Sequence, residues 1–271
     1  MIIDDKSLSE FLVKIHILYG ADFIHYNYTT LKRRIEVHAI KLNFEDFEQY
    51  KELILNDKIY FDQMFSYFSI NVTEFFREPE QLKLFREHIV PYLKTFPYLK
   101  IWCAGCSSGE SPYSLAIILC EEGLLDKAHI YATDFNHRIL SQAKKALFSI
   151  EHIEQSRDNY IKSGGKEIFD DYFIKKGKYY KVKRFLQEKI LFCNHNLVTD
   201  GVINEFQLII CKNVIIYFDK ILKNKVISLF DSSLECNGFL ILGNSELLPI
   251  EFKDKFDKYI PHSKVYHKQC K

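Results

Sequence analysis

The sequence predicts an α/β protein built on a doubly wound, mostly parallel sheet, with a small helical domain before it and a small β excursion within it. Three observations indicate this fold: helical spacing of apolar residues at the start, a strand–loop–helix segment of small residues, and later strand-like runs separated by helical ones. We predict a helical domain at residues 1–70, a linker and connecting helix at 71–97, and the main domain at 98–271. The excursion is predicted at about 151–189.

The strand–loop–helix segment is the stretch around which the main domain is organised. An apolar run leads into the small residues Ala104–Gly109, which allow the backbone to approach a ligand closely. We predict Ser111 as the N-cap of the next helix and Pro112 as its first residue. This arrangement is typical of a nucleotide-binding corner. Cys103 and Cys106 lie in the same stretch, so a thioredoxin-like redox pair is an alternative interpretation.

Composition restricts the class of protein. The chain has 271 residues, 47% hydrophobic and 27% charged, as in ordinary soluble proteins, and its net charge of +1 argues against bulk nucleic-acid binding. No apolar run approaches the ~20 residues of a membrane span, and the N-terminus lacks the pattern of a signal peptide. The seven cysteines fit a reducing compartment, and their spacing predicts no metal site. We expect a cytoplasmic protein.

The N-terminal domain is predicted to be a helical bundle. The first helix shows the i, i+3, i+4, i+7 pattern at Leu8, Phe11, Leu12, Ile15 and Leu18. A second helix is predicted from about Thr29, and a third over residues 44–53. The second helix contains three consecutive cations, Lys32, Arg33 and Arg34, which form either a solvated face or a basic surface for an acidic partner.

Asp134 follows the short predicted strand His129–Thr133. An acidic residue at this point, one strand after a glycine loop, is placed to accept hydrogen bonds from two ribose hydroxyls. Alternatively, it caps the predicted helix Arg138–Leu147. Its distance along the chain from the glycine loop exceeds the ~20 residues of a dinucleotide fingerprint, which argues against an NAD enzyme.

The segment before the central strand combines two aromatic residues, an arginine and a proline. Phe75 and Phe76 either anchor Arg77 in a segment that changes direction at Pro79, or are ordinary core residues. A helix is predicted over about Pro79–Leu93.

The excursion and the second half of the sheet follow from turn and strand patterns. Residues 172–174 and 179–182 flank a Lys-Gly-Lys turn and predict a hairpin. Strands are predicted at 190–193, 206–211 and 238–242, with a helix at about 220–234. The run that ends near His267 is predicted to pair antiparallel at the edge of the sheet.

Four separated stretches together resemble the chemotaxis receptor methyltransferases, the CheR family. They are Asn71–Arg77, Trp102–Ser114, Ala132–Asp134 with Leu140 and Ala143, and Cys211–Phe218; Gly243–Glu246 is a weaker fifth match. The resemblance implies a class I S-adenosylmethionine-dependent methyltransferase with a Rossmann-like sheet. It also implies methyl transfer to glutamate side chains of a chemoreceptor's cytoplasmic domain, giving methyl esters in chemotaxis adaptation.

The same resemblance implies the site residues. The cofactor would be bound by Asn71, Thr73, Arg77, Glu110, Asp134, Asn196, Leu197, Asn213 and Val214. Arg77 and Tyr217 would align the glutamate with the methyl group, although Tyr217 could instead be an ordinary core residue. If Lys32, Arg33 and Arg34 form a basic surface and not a solvated face, the receptor helices would be its acidic partner.

Three departures from the family pattern leave the substrate less defined than the cofactor. Lys212 replaces an arginine, Ser111 replaces a second acid, and Asn244 replaces a common histidine. The excursion around Lys176–Lys178 is short, which favours a type that does not use a receptor tail peptide. The alternatives to an active enzyme are a binding module without turnover and the redox protein based on Cys103 and Cys106.

Overall fold

The computed structural model describes residues 1–68 and 73–270, which form two compact units. The first unit comprises Met1–Asn71 and Ile216–Val226, and the second comprises Val72–Ile215 and Ile227–Lys271. The domain ranges expected from the sequence remain a proposal for where the chain divides.

Among the residues that the structure describes, the first unit contains four helices before its later segment. They are α1 (Asp5–Tyr19), α2 (Tyr28–Lys41), α3 (Phe47–Asn56) and α4 (Lys58–Phe68). Side chains of Asp4, Asn27 and Asp46 cap the first three by accepting backbone N–H bonds of 2.9–3.1 Å. Apolar residues on the inner faces form one core, including Leu8, Leu12 and Ile35. Three of these helices are those expected from the sequence, and α4 is an addition that the sequence did not indicate.

Residues 216–226 join this unit by backbone pairing with the α1–α2 connection. Tyr26 and Phe218 form an antiparallel bridge. The N–H of Asn27 donates to the carbonyl of Tyr217 at 2.7 Å, and the N–H of Asp219 donates to the carbonyl of His25 at 2.9 Å. The segment that contains Tyr217 is therefore fixed to the helical unit by hydrogen bonds on both sides of Phe218.

The second unit is built on a seven-stranded sheet of order β6-β2-β1-β7-β8-β10-β9. Its strands are β1 (Leu99–Ala104), β2 (Ala128–Asp134), β6 (Ile190–Asn194), β7 (Phe206–Cys211), β8 (Leu234–Leu242), β9 (Phe256–Lys258) and β10 (Val265–Lys268). The pairs among β6, β2, β1, β7 and β8 are parallel, whereas β10 is antiparallel to β8 and β9. This confirms the mostly parallel sheet with an antiparallel edge.

Helices and a second sheet complete the unit. The helices are α5 (Pro79–Leu84), a π-helical turn (Phe85–Ile89), α6 (Val90–Leu93), α7 (Glu110–Glu121), α8 (His137–Lys145), α9 (Ile150–Lys162), α10 (Arg184–Gln187) and α11 (Lys220–Ser233), whose residues fall in both units. The small antiparallel sheet has the order β3-β5-β4, with β3 (Leu147–Ser149), β4 (Phe173–Lys176) and β5 (Tyr179–Val182). The predicted hairpin is β4–β5, and β3 is an addition that the sequence did not indicate.

The start of α7 differs from the prediction. The helix begins at Glu110, and its N-cap is Gly109, with φ of 100°. The predicted cap, Ser111, and Pro112 both lie within the first turn, so that prediction was wrong. A Cβ on Gly109 would lie 3.1 Å from that of Ala143, so the chain turns into the helix at the one residue that tolerates both the crowding and the left-handed backbone.

Two cysteines near the C-terminus differ from the expectation of reduced thiols. Cys236 and Cys270 form a disulfide, with their Cα atoms 5.3 Å apart. Cys103, Cys106 and Cys211 are buried and free. No helix in the described ranges, 1–68 and 73–270, has the length and hydrophobicity that a bilayer crossing requires.

Candidate functional site

The predicted site residues of the second unit follow the carboxyl ends of neighbouring parallel strands. The small-residue loop follows β1, Asp134 ends β2, Asn196 lies just after β6, and Asn213 lies just after β7. Because these strands are adjacent and parallel, the four segments share one edge of the sheet. This edge is where ligands bind in open α/β sheets.

The loop after β1 has an unusual backbone that only small residues accommodate. Gly105, Ser107 and Gly109 all have positive φ, at 72°, 49° and 100°. A Cβ on Gly105 would collide with the side chain of Val214, so the glycine allows the loop to contact the turn after β7. Two predicted cofactor-binding regions are thus in direct contact.

Asp134 connects β2 to the small-residue loop. Its Oδ2 accepts the N–H of Ser107 and its Oδ1 accepts the N–H of Asn136, both at 2.9 Å. The cap of α8 is Asn136, whose Oδ1 accepts the N–H groups of Arg138 and Ile139, so the alternative that Asp134 caps this helix is wrong. The carboxyl group is 7% exposed, and burial raises its pKa. A carboxylate offers about four acceptor positions, so the group keeps capacity for a further hydrogen bond.

Glu110 is a second buried carboxyl group at this edge, in the first turn of α7. It is 3% exposed, and its Oε2 accepts the hydroxyl of Ser108 at 2.6 Å. Nε2 of His152 lies 3.3 Å from its Oε1. Burial raises the pKa of Glu110 to about 7, so the group titrates near neutrality.

The segment that carries Arg77 is fixed by buried rings and by a hydrogen bond to α7. Phe75 and Phe76 are both buried in the main core, as the simpler interpretation predicted. The N–H of Phe76 donates to Oγ of Ser114 at 2.9 Å, and this hydroxyl donates to the carbonyl of Glu110 at 2.7 Å. The two phenylalanines are therefore core residues that also fix the backbone next to Arg77, and the two interpretations of this segment are compatible.

The turn after β7 is held by a residue whose role the sequence analysis missed. Both oxygens of Glu246 accept backbone N–H groups: Oε1 those of Val214 and Ile215 at 2.8 Å, and Oε2 those of Asn213 at 2.9 Å and Gly243 at 2.6 Å. The carboxyl is 2% exposed, and burial raises its pKa. Asn213 has φ of 61°, so these bonds stabilise a left-handed residue. The weak match at Gly243–Glu246 was the only indication of this role.

Asn196 and Leu197 form a turn beside Asp134. Oδ1 of Asn196 accepts the N–H of Val198 at 2.9 Å, and Leu197 is 7% exposed. The preceding residue, His195, donates its N–H to the carbonyl of Asp134 at 3.2 Å. The structure thus brings the β6 turn next to the acidic end of β2.

Three predicted residues are not joined to this group by the described contacts. Asn71 lies outside the described residues, and Thr73 is half-buried at the start of the second described range. Tyr217 belongs to the first unit, where its ring faces Arg34. Tyr217 is half-buried. The catalytic role predicted for it stays a prediction.

The cysteines of the loop lack the property that a redox pair requires. Burial raises the pKa of the Cys103 thiol to about 12 and that of Cys106 well above its usual value. A reactive thiol at a helix N-terminus would have a lowered pKa. The structure therefore argues against the redox alternative, and both cysteines are small side chains in the core, as the preferred interpretation expected.

The described groups fit a nucleoside cofactor with a charged tail. Asp134 offers hydrogen-bond acceptors for ribose hydroxyls, and Glu110 offers a carboxyl at the helix N-terminus. The loop and the Asn213 turn offer close backbone surfaces. Together with the sheet order, these features are those of an S-adenosylmethionine-dependent methyltransferase.

Comparison with known families agrees with that class. Residues 71–265 match the profile "CheR methyltransferase, SAM binding domain", and residues 6–69 match "CheR methyltransferase, all-alpha domain". The chain belongs to the CheR methyltransferase family, and its predicted cofactor is S-adenosylmethionine. The predictions of family, enzyme class and cofactor are confirmed.

Individual relatives cover most of the chain. A Pseudomonas putida protein that carries the name methyltransferase Cher3 is 37% identical over 256 residues, 94% of this chain and 93% of that protein. A chemotaxis protein methyltransferase of Listeria innocua is 32% identical over 229 residues, 84% of each chain. Among solved structures, a methyltransferase of Geobacter sulfurreducens in complex with S-adenosyl-L-homocysteine is 12% identical, with a TM-score of 0.35 over 65% of this chain and 53% of that one.

Proposed function

We propose that this protein transfers a methyl group from S-adenosylmethionine to glutamate side chains of a chemoreceptor's cytoplasmic domain, giving glutamate methyl esters in chemotaxis adaptation. The observation that carries the proposal is the buried Asp134 bonded to the small-residue loop at the ligand-binding edge of the sheet. Family membership supplies the reaction class. Relatives named chemotaxis protein methyltransferase support the substrate class. Because the proposed substrate is a cytoplasmic domain, we propose that the protein acts in the cytoplasm.

The proposed roles follow the chemistry of each group. Asp134 accepts the ribose hydroxyls, and Glu110 binds a polar part of the cofactor. Asn71, Thr73 and Arg77 bind it from the segment before α5, and Asn196, Leu197, Asn213 and Val214 line the remainder. Arg77 and Tyr217 align the glutamate.

The reaction needs little acid–base assistance. The bound cofactor supplies a methyl group on a positively charged sulfur. A carboxylate oxygen of the receptor glutamate forms a bond to that methyl carbon while the carbon–sulfur bond breaks and its electron pair stays on sulfur. Because glutamate is already ionised at pH 7, no base has to remove a proton. The chain has mainly to orient the two groups and exclude water, which can supply much of the rate acceleration.

Fewer cations of helix α2 are available to a binding partner than the sequence suggested. Nζ of Lys32 is 2.7 Å from Oδ1 of Asp5, and Arg34 faces Tyr217, so both cations have partners within the first unit. Arg33 is exposed. We propose Arg33 as the residue of this run that contacts acidic receptor helices.

A labelling assay tests the proposal. The protein is incubated with radiolabelled S-adenosylmethionine and receptor cytoplasmic fragments, and base-labile label on the receptor is expected, since methyl esters hydrolyse in alkali. Fragments with the candidate glutamates changed to alanine are the control. Fragments with and without their C-terminal tail test the expected independence from a tail peptide. Cofactor binding without any label on receptor would instead support the binding-module alternative.

A further inference from the structure

Arg77 lies between two residues with an unfavourable backbone. Phe76 has φ of 54° and Glu78 has φ of 58°, and neither is glycine. Left-handed backbone is unfavourable for residues other than glycine and persists where surrounding contacts enforce it. The hydrogen bond to Ser114 accounts for Phe76. The left-handed backbone of Glu78 is explained by a different set of contacts.

The ammonium group of Lys212 contacts both Arg77 and Glu78 and so stabilises this backbone. Its Nζ donates to the carbonyl of Arg77 at 2.7 Å and lies 3.1 Å from Oε2 of Glu78. The side chains of Lys212 and Glu78 are 10% and 14% exposed. Charges buried to this degree are retained only when they are paired and hydrogen-bonded. Burial lowers the pKa of Lys212, and Glu78 opposes this effect.

Glu78 in turn contacts the segments that follow β7 and β8. Its Oε1 accepts the backbone N–H of Asn244 at 3.2 Å and lies 3.4 Å from Nδ2 of Asn213. Lys212 is the residue directly before Asn213, whose backbone is held by Glu246. The Lys212–Glu78 pair therefore connects the Arg77 segment to the left-handed turn at Asn213.

We propose that Lys212 and Glu78 are positioning residues, which hold the backbone at Arg77 in register with the Asn213–Val214 turn so that both contact one cofactor molecule. The inference rests on the proposed cofactor contacts of Arg77, Asn213 and Val214. It also gives a function to Lys212, the residue that departs from the family's arginine. One buried ion pair then aligns two of the segments that are proposed to bind the cofactor.

The test uses variants that separate positioning from stability. Lys212→Met alone leaves a buried unpaired carboxylate, so it is expected to destabilise the fold. The double variant Glu78→Gln with Lys212→Met removes both charges and is expected to keep its unfolding temperature, since replacing a buried pair by neutral groups is often neutral. Its affinity for S-adenosylhomocysteine, measured by calorimetry, is expected to fall about tenfold or more, the loss that follows from charged hydrogen bonds.

Lys212→Arg is the rescue variant, since its guanidinium keeps the charge; its affinity is expected to stay within about threefold of the wild type. Lys255→Met is the control for the loss of a lysine charge, because Lys255 pairs with Asp231 outside the site. Wild-type affinity in a folded double variant would overturn the inference. The binding measurement needs no receptor, so failure to methylate a receptor fragment contradicts the proposed substrate and leaves this test intact. Unchanged affinity in Arg77→Ala would contradict the cofactor role of Arg77.

Discussion

The guanidinium of Arg34 lies over the ring of Tyr217, with Cζ 5.1 Å from the ring centre. Its Nη1 also donates to the carbonyl of Tyr67 at 2.5 Å, and the carbonyl of Tyr217 accepts the N–H of Asn27. Ring and backbone of Tyr217 are therefore both fixed within the helical unit. A cation over an aromatic face contributes about 0.5–2 kcal/mol. The predicted catalytic tyrosine thus depends on a residue of the basic helix for its orientation.

This contact leads to a prediction for the transfer step. If Tyr217 aligns the glutamate, Tyr217→Phe should lower the single-turnover rate at saturating cofactor more than it lowers cofactor affinity. Arg34→Ala should act in the same direction, because the ring loses its packing partner. Arg184→Ala, which changes an exposed arginine paired with Glu188 outside the proposed site, is the control and should leave the single-turnover rate unchanged. If Tyr217→Phe has the wild-type rate, Tyr217 is a packing residue, and Arg77 is the remaining candidate.

A second prediction concerns Asp134. Asp134→Ala should weaken the binding of S-adenosylhomocysteine by about 1–3 kcal/mol, the range for losing a hydrogen bond to a charged group. Calorimetry on the folded variant measures the affinity. Asn136→Ala is the matched control, since it removes the cap of α8 and should cost about 1 kcal/mol of unfolding free energy while affecting affinity little. Equal affinities in Asp134→Ala and wild type would exclude the ribose contact.

The third prediction is a pH dependence of stability that arises from Glu110. Its folded-state pKa of about 7 lies above the unfolded value of 4.5. Between these values the unfolded chain releases a proton that the folded protein retains, so this group makes stability fall as pH rises from about 4.5 to about 7. Above about pH 7 both states are ionised, and the effect levels off.

Glu110→Gln removes this titration. Urea unfolding of the variant and the wild type at pH 5 and pH 7.5 should therefore show the variant gaining in relative stability at the higher pH. Comparing the two proteins cancels the contributions of other titrating groups that the substitution leaves unchanged, such as Glu246. A stability difference that is constant with pH would contradict the raised pKa.

The fourth prediction concerns the ion pair next to the π-helical turn. Nη2 of Arg86 is 2.5 Å from Oε2 of Glu121, and their side chains are 6% and 0% exposed. Hydroxyls of Tyr160 and Tyr172 donate to the other oxygen of Glu121. Arg86→Met leaves this carboxylate buried without its cation and should lower the free energy of unfolding by about 3–5 kcal/mol.

Chemical denaturation measures the loss in Arg86→Met. Arg184→Met is the control, because its pair with Glu188 is exposed and should contribute less than about 1 kcal/mol. A loss in Arg86→Met as small as that in the control would show that the buried pair contributes no net stability.

The sequence alone determined the features that depend on neighbours along the chain. Helical spacing gave the first three helices, and apolar runs gave the parallel strands and the hairpin β4–β5. The small-residue loop and Asp134 at the end of a strand gave the ligand-binding edge, because parallel strands necessarily bring their carboxyl ends together. These patterns reflect local backbone preferences and burial, which each segment expresses by itself.

The tertiary structure decided what depends on residues distant along the chain. The cap of α7 is Gly109 and not Ser111, and Ala143 of another helix crowds the position that Gly109 occupies. Glu246 binds the backbone of the Asn213 turn, Glu78 pairs with Lys212, and Arg34 lies over Tyr217, with separations of 33, 134 and more than 180 residues respectively. Buried carboxylates and cations are stable only beside specific partners, and spacing along the sequence contains no record of those partners. Folding alone brings them together.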